Sequence, residues 1–254
     1  MGDIKQYWFV IRELTGREIK RKYARSYLGI LWSVLQPLLF MLVMTLVFGV
    51  MFKGSIQNFP LYYLTGFLFW NLFEQISNSV MTVLVDNRDL LLRVKVPKNV
   101  FILSRCYTAL VNELYSLLAY FPLLFLFGVK PNLKMLLFPI DITLCTFFGL
   151  GVGYILSILY VFFADIKYLY SVFLTMLMYL SAIFYPVEQV PMTMQMVINS
   201  NPVYCYMLFA REIMVYDTFP TAELWFKIVF WAVGAYLLGY LVFRRRENEV
   251  MQNI

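Results

Sequence analysis

The sequence predicts an all-α membrane protein: six transmembrane helices, an N-terminal amphipathic interface helix, and two short re-entrant helices between spans five and six. Three observations predict it. Of 254 residues, 61% are hydrophobic and only 14% charged, whereas soluble domains carry about 25% charged residues. The apolar runs continue for about 20 residues, enough to cross a ~30 Å hydrocarbon core. A membrane barrel would instead alternate over ~10-residue segments. The charges fall in short blocks between those runs, as topology signals do.

The same features exclude other classes. A net charge of +6 does not point to nucleic acid, because the basic residues are spread between apolar spans. The chain has no histidine, and Cys106, Cys145 and Cys205 have no CxxC spacing. No catalytic residue and no metal site is therefore expected.

Residues 1–28 read as a cytoplasmic amphipathic interface helix. Ile4, Tyr7, Trp8, Ile11 and Leu14 recur at helical spacing, with Lys5, Arg12, Arg17 and Lys20 turned elsewhere. Two readings stand: an anchor that fixes topology, or a helix that also touches a cytoplasmic partner. Residues 29–254 form the transmembrane domain. Its first span, 29–52, follows a break at Leu28-Gly29 and contains Pro37. Its second span, about 60–84, opens with an aromatic cluster and carries Glu74.

Residues 86–99 form a basic segment with a short helix around Leu90, Leu91 and Val94, stopped by Pro97. Span three, 100–128, contains Glu113, which either pairs with Arg105 or faces a neighbouring helix. Span four, 135–163, passes through Gly149, Gly151 and Gly153, small residues that let helices approach closely. Span five covers 168–185. The following stretch, 186–221, holds Pro186, Pro191, Pro202 and Pro220 yet stays apolar. It is too broken for a span and too apolar for water, and irregular backbone is tolerated in a membrane only against protein. Span six, 223–243, ends at Arg244-Arg245-Arg246.

With the N- and C-termini in the cytoplasm, sixteen of the 21 Lys and Arg lie inside. Lys53, Lys130, Lys134, Arg211 and Lys227 lie outside. The opposite orientation would invert this bias.

The run Tyr27-Leu28-Gly29-Ile30-Leu31-Trp32 leading to Pro37 resembles the permease subunits of ABC-2 type polysaccharide exporters, which serve O-antigen, capsule and teichoic acid export. Phe184-Tyr185-Pro186-Val187 with Val190-Pro191 is similar to the start of that family's outer re-entrant segment. Asn201-Pro202 followed by Arg211 is similar to its Asn-Pro segment and the arginine beyond. One departure is Ala164 before Asp165, where the family often has arginine.

The resemblance extends over nearly the whole chain. It implies a homodimer in a bacterial cytoplasmic (inner) membrane, served by two nucleotide-binding ATPase subunits that hold ATP and Mg. No GxxxxGK[ST] phosphate loop occurs in this chain, so ATP chemistry belongs to a partner. The resemblance further implies a coupling segment, here Asp86, Asn87, Arg88, Asp89, Leu90, Arg93, Lys95 and Pro97.

The expected cargo is a lipid-linked polysaccharide. Arg17, Arg21, Lys22 and Arg25 beside Leu28-Gly29 either anchor the helix or recruit its diphosphate. Aromatic faces suit sugars, and Phe59, Tyr62, Tyr63, Phe67, Trp70, Phe73, Tyr179, Phe184 and Tyr185 are the candidate channel lining. Interfacial belts explain aromatic residues equally. Alternatives are an ABC-2 exporter of lipid or drug, and an ion-coupled transporter using Glu74, Glu113 and Asp141.

Overall fold

A computed structural model describes residues 2–52, 55, 56, 58–93 and 96–253, of which 2–4 and 251–253 are described by backbone alone. Every regular element among them is helical. In chain order these are α1 (Gly2–Tyr23), α2 (Leu31–Met51), α3 (Phe59–Asp86), α4 (Arg88–Arg93) and α5 (Lys98–Leu126). A 3-10 turn at Leu133–Leu137 leads into α6 (Phe138–Phe162). There follow α7 (Ile166–Tyr179), α8 (Met192–Ser200), α9 (Pro202–Met214) and α10 (Ala222–Asn253).

Among the described residues, four stretches are long and apolar enough to cross a membrane: Leu31–Met51, Lys98–Leu126, Leu133–Phe162 and Ala222–Val250. They correspond to the first, third, fourth and sixth expected spans. The second and fifth fall on helices that lack either apolarity or length. The 28 residues of α3 would reach about 42 Å, but Asn71, Glu74, Gln75 and Asn78 interrupt its apolar surface. The 14 residues of α7 reach about 21 Å, short of a ~30 Å core.

The centre of the molecule is α3, which packs on α2, α5, α6 and α9 and is buried along most of its length. It runs antiparallel to α5. The Thr65 and Tyr120 hydroxyls meet at 2.7 Å near one end, and Arg105 reaches Asp86 at 3.1 Å near the other. The tightest seam joins α6 to α10. A Cβ on Gly151 would stand 2.3 Å from the Ala235 carbonyl carbon, and one on Gly239 would stand 2.1 Å from the Gly151 oxygen. Only glycine allows these backbones so close.

The α2 helix runs through Pro37, whose missing N–H leaves the Ser33 carbonyl without its helical donor. The Ser116 hydroxyl of α5 donates to that carbonyl at 3.1 Å, so a neighbouring helix repairs the gap, as membrane helices require. Between α1 and α2, Gly29 sits at φ +51° and its N–H is taken by the Ser26 hydroxyl at 3.0 Å. The Leu-Gly break is thus a left-handed turn that suits glycine.

Two expectations change. The apolar run to residue 185 predicts a longer span five, but the helix ends at Tyr179. Tertiary donors take the carbonyls beyond: Asn201 Nδ2 bonds Leu180 at 3.0 Å, and Arg211 Nη2 bonds Ala182 at 3.2 Å and Ile183 at 3.1 Å. At the chain's end, α10 continues past residue 243 for a further turn and more. Lys98 Nζ reaches the Glu247 carbonyl at 2.6 Å and its carboxylate at 3.6 Å.

Candidate functional site

Along α3 the polar residues Asn71, Glu74, Gln75 and Asn78 recur at helical spacing and so share one face. On α5, Arg105, Thr108 and Asn112 do the same. The two faces meet across an open cleft of about 640 Å³, bordered by Glu18, Arg21 and Lys22 of α1 and by Gln36 of α2. Every lining residue except Ala109 is polar or charged. Across the cleft, Asn112 Nδ2 donates to Gln75 Oε1 at 3.3 Å.

The α1 wall is fixed by charge and by packing. Ile11 and Thr15 are buried against α5, and the Thr15 hydroxyl donates to the Ser104 carbonyl at 3.2 Å. Trp8 meets the Tyr107 ring edge-on at 5.2 Å. Arg105 holds Glu18 of α1 at 2.8 Å with one guanidinium nitrogen and Asp86 at 3.1 Å with the other. Thr82 donates to the same Asp86 oxygen at 2.8 Å. Arg105 is therefore bound to these carboxylates and does not pair with Glu113. Glu113 lies buried on α5, with Asn71 as a polar neighbour and Oε2 without a partner among the described residues.

Asn87 is the hinge between α3 and α4, in the segment expected to couple ATP. Its side-chain N–H donates to the Val83 carbonyl at 2.9 Å, closing α3, while its own carbonyl accepts from Leu91 N at 2.9 Å, opening α4. Its Oδ1 accepts from Arg17 of α1 at 3.0 Å. An arginine expected to meet a diphosphate is thus joined to a residue expected to couple ATP. Around this hinge Arg88, Asp89, Arg93 and Pro97 are exposed and Leu90 is half-buried; Lys95 lies outside the described residues. Of the other basic-run residues, Arg21 and Lys22 line the cleft, while Arg25 and Leu28 are exposed in the turn that Gly29 makes.

At the opposite end, α9 locks the turn that follows α7. Asn201 caps α9 through Val203 N at 3.0 Å, and its Nδ2 also holds the Ser181 hydroxyl at 2.9 Å. Arg211, 1% exposed, donates from Nε to the Tyr62 carbonyl at 3.2 Å besides its two bonds to the turn. Its guanidinium carbon lies 3.5 Å from the centre of the Tyr62 ring. The Tyr62 hydroxyl in turn donates to the carbonyls of Ala182 at 3.1 Å and Tyr185 at 2.8 Å. Ala182 is held at φ +44°, a strained conformation for a residue with a Cβ, kept by these bonds.

Of the nine aromatic residues singled out in the sequence, Phe59, Tyr62, Tyr63, Trp70, Phe73 and Phe184 are buried within the single chain. Phe67 and Tyr185 are half-buried and Tyr179 is exposed. The polar cleft itself has a sequence signal, the recurrence at 71, 74, 75 and 78 within an otherwise apolar helix. The partner stripe on α5 is hidden by the apolar residues around it.

A helical bundle with four helices long and apolar enough to cross a membrane among the described residues, and a basic helix packed against its polar end, has the build of a multi-pass membrane protein. Residues 10–215 match the model of the ABC-2 type transporter family, and the chain belongs to that family. It is 29% identical over 254 residues to the O-antigen export system permease protein RfbA of Myxococcus xanthus, covering 99% of this chain and 98% of that protein. It is 26% identical over 203 residues to an RfbA of Klebsiella pneumoniae, covering 80% of this chain and 78% of the relative. To the polysialic acid transport protein KpsM of Escherichia coli it is 21% identical over 244 residues, 92% of each.

Proposed function

We propose that this chain is the membrane-spanning subunit of an ATP-driven exporter that moves a lipid-linked polysaccharide out across the bacterial cytoplasmic membrane. The observation that carries the reading is the similarity along its whole length to an O-antigen export permease. With no phosphate loop in the chain, ATP and Mg sit on a separate ATPase subunit, two copies of which serve a homodimer of this chain. The exposed residues Arg88, Asp89 and Arg93 and the α1 helix receive the ATPase, because the Arg17–Asn87 and Glu18–Arg105–Asp86 bonds make them one unit.

In this reading α3 and α7 complete six spans, and the termini and the coupling segment are cytoplasmic. Support for α3 comes from its antiparallel course beside α5 and for the orientation from the excess of Lys and Arg at the α1 end. The segment 186–221, with α9 buried among α3, α6 and α10, enters the membrane from outside and returns. The glycan passes between the two copies over Phe67, Tyr179 and Tyr185, with the buried aromatics as their support.

Deletion of the gene tests this. Surface polysaccharide is expected to disappear and to return with the wild-type gene, and the tagged chain is expected to purify with an equal amount of an ATPase. Unchanged surface polysaccharide, or a chain that purifies alone, overturns the reading. The unpartnered buried oxygens of Glu113 and Asp141 favour a second reading, ion-coupled transport. Export that stops with a protonophore while ATP is held constant selects it.

A further inference from the structure

Resting on the export reading, we propose that the polar cleft between α1, α2, α3 and α5 is a binding site for the first sugar of a diphosphate-linked lipid. The diphosphate lies at the basic α1 wall and the sugar hydroxyls on the amide-rich floor.

The floor is built for hydroxyl groups. Asn71, Gln75, Asn78 and Asn112 each offer both a donor and an acceptor, and Glu74 adds two acceptor oxygens. Hydroxyls of a pyranose need this alternation, since each both donates and accepts. Polar faces of two packed membrane helices would be expected to bond each other directly. Here Asn112 Oδ1 has no partner among the described residues although Asn112 is only 5% exposed. A buried acceptor left without a donor is costly, and a hydroxyl in the cleft supplies one.

The wall supplies the charge. Arg105 is engaged by Glu18 and Asp86, whereas Arg21 and Lys22 are exposed at the cleft, placed to meet phosphate oxygens through charge-assisted bonds. The volume of about 640 Å³ lies within the ~300–1,000 Å³ of small-molecule sites.

The test uses the native lipid-linked glycan. A photo-crosslinking amino acid replaces Ser79, which lines the cleft without being one of its floor amides, in producing cells, and a second strain carries it at Leu118, which is 70% exposed on the apolar face of α5. Illumination is expected to give a carbohydrate-bearing adduct at position 79 and phospholipid adducts alone at position 118. Gln75→Leu and Asn112→Leu are expected to lower export roughly tenfold at unchanged membrane abundance, the effect of losing one or two bonds to a charged or hydroxyl partner. Arg21→Gln with Lys22→Gln is expected to lower the adduct yield at position 79. Absence of a carbohydrate adduct at position 79 in cells that still export overturns the cleft proposal alone. Persistence of surface glycan without the gene overturns the export reading itself.

Discussion

Arg211 shows how one residue can organise an end of the molecule. Its charge is met by three backbone carbonyls and an aromatic face, and those carbonyls belong to segments 28 to 149 residues away. Arg211→Met leaves the carbonyls of Tyr62, Ala182 and Ile183 without this donor, at about 1 kcal/mol or more for each. Thermal unfolding of the solubilised protein is expected to fall by several degrees. Arg211→Lys is expected to recover only some of this, because an ammonium cannot copy the guanidinium fork. Gly66 belongs to the same site: a Cβ there would stand 2.5 Å from Arg211 Nη2, so Gly66→Ala is expected to match Arg211→Met. A smaller effect belongs to Ser116→Ala, about 1 kcal/mol, since it removes the donor that serves the carbonyl freed by Pro37. In the sequence Arg211 is visible only as a charge after an Asn-Pro pair. Its role depends on carbonyls that no local pattern reveals.

At the scale of elements, the glycines of α6 differ in what they tolerate. A Cβ on Gly149 would meet Ile76 at 3.4 Å, whereas one on Gly151 would overlap the backbone of α10. Gly149→Ala is expected to be nearly neutral. Gly151→Ala must push α6 and α10 apart and is expected to cost about 2 kcal/mol or more, read as lost folded protein in detergent. The long apolar helices α2, α5, α6 and α10 were legible because about 20 predominantly apolar residues in lipid have one regular solution. The helix α3 was legible as a helix, but its polar stripe, which lines the cleft, keeps it below the apolarity of the four long helices. The end of α7 was not legible, because Asn201 and Arg211 stop it from a distance. The cleft was half legible: the stripe on α3 is periodic, but its facing partners depend on how α5 and α1 dock.

At the scale of the whole molecule, the ion-pair cluster around Arg105 ties α1, α3 and α5 into one body. Arg105→Ala releases Glu18 and Asp86 together. In the exporter proposed above, the expected outcome is an assembled complex that still hydrolyses ATP but exports less glycan per ATP, measured as both rates on one preparation. Equal loss of the two rates would mean that the cluster serves assembly alone.

The seam between Gly151 and Gly239 has a mechanical meaning. The α10 helix touches α9 through the bond from Tyr206 to the Ile228 carbonyl at 2.9 Å, and touches the start of α5 at Glu247. Gly239 lies between those two points, wedged against the backbone of Gly151. A rod wedged near its middle pivots more readily than it slides. A push at its Glu247 end would then return at Ile228 with the opposite sense, over arms of about 12 and 16 Å. Distance measurements between spin labels at Arg245 and at Phe226, each against a fixed site on α3, are expected to change in opposite directions on nucleotide addition to the complex. A shift of both in the same direction would mean that α10 moves as a piston and that the glycine wedge is no fulcrum.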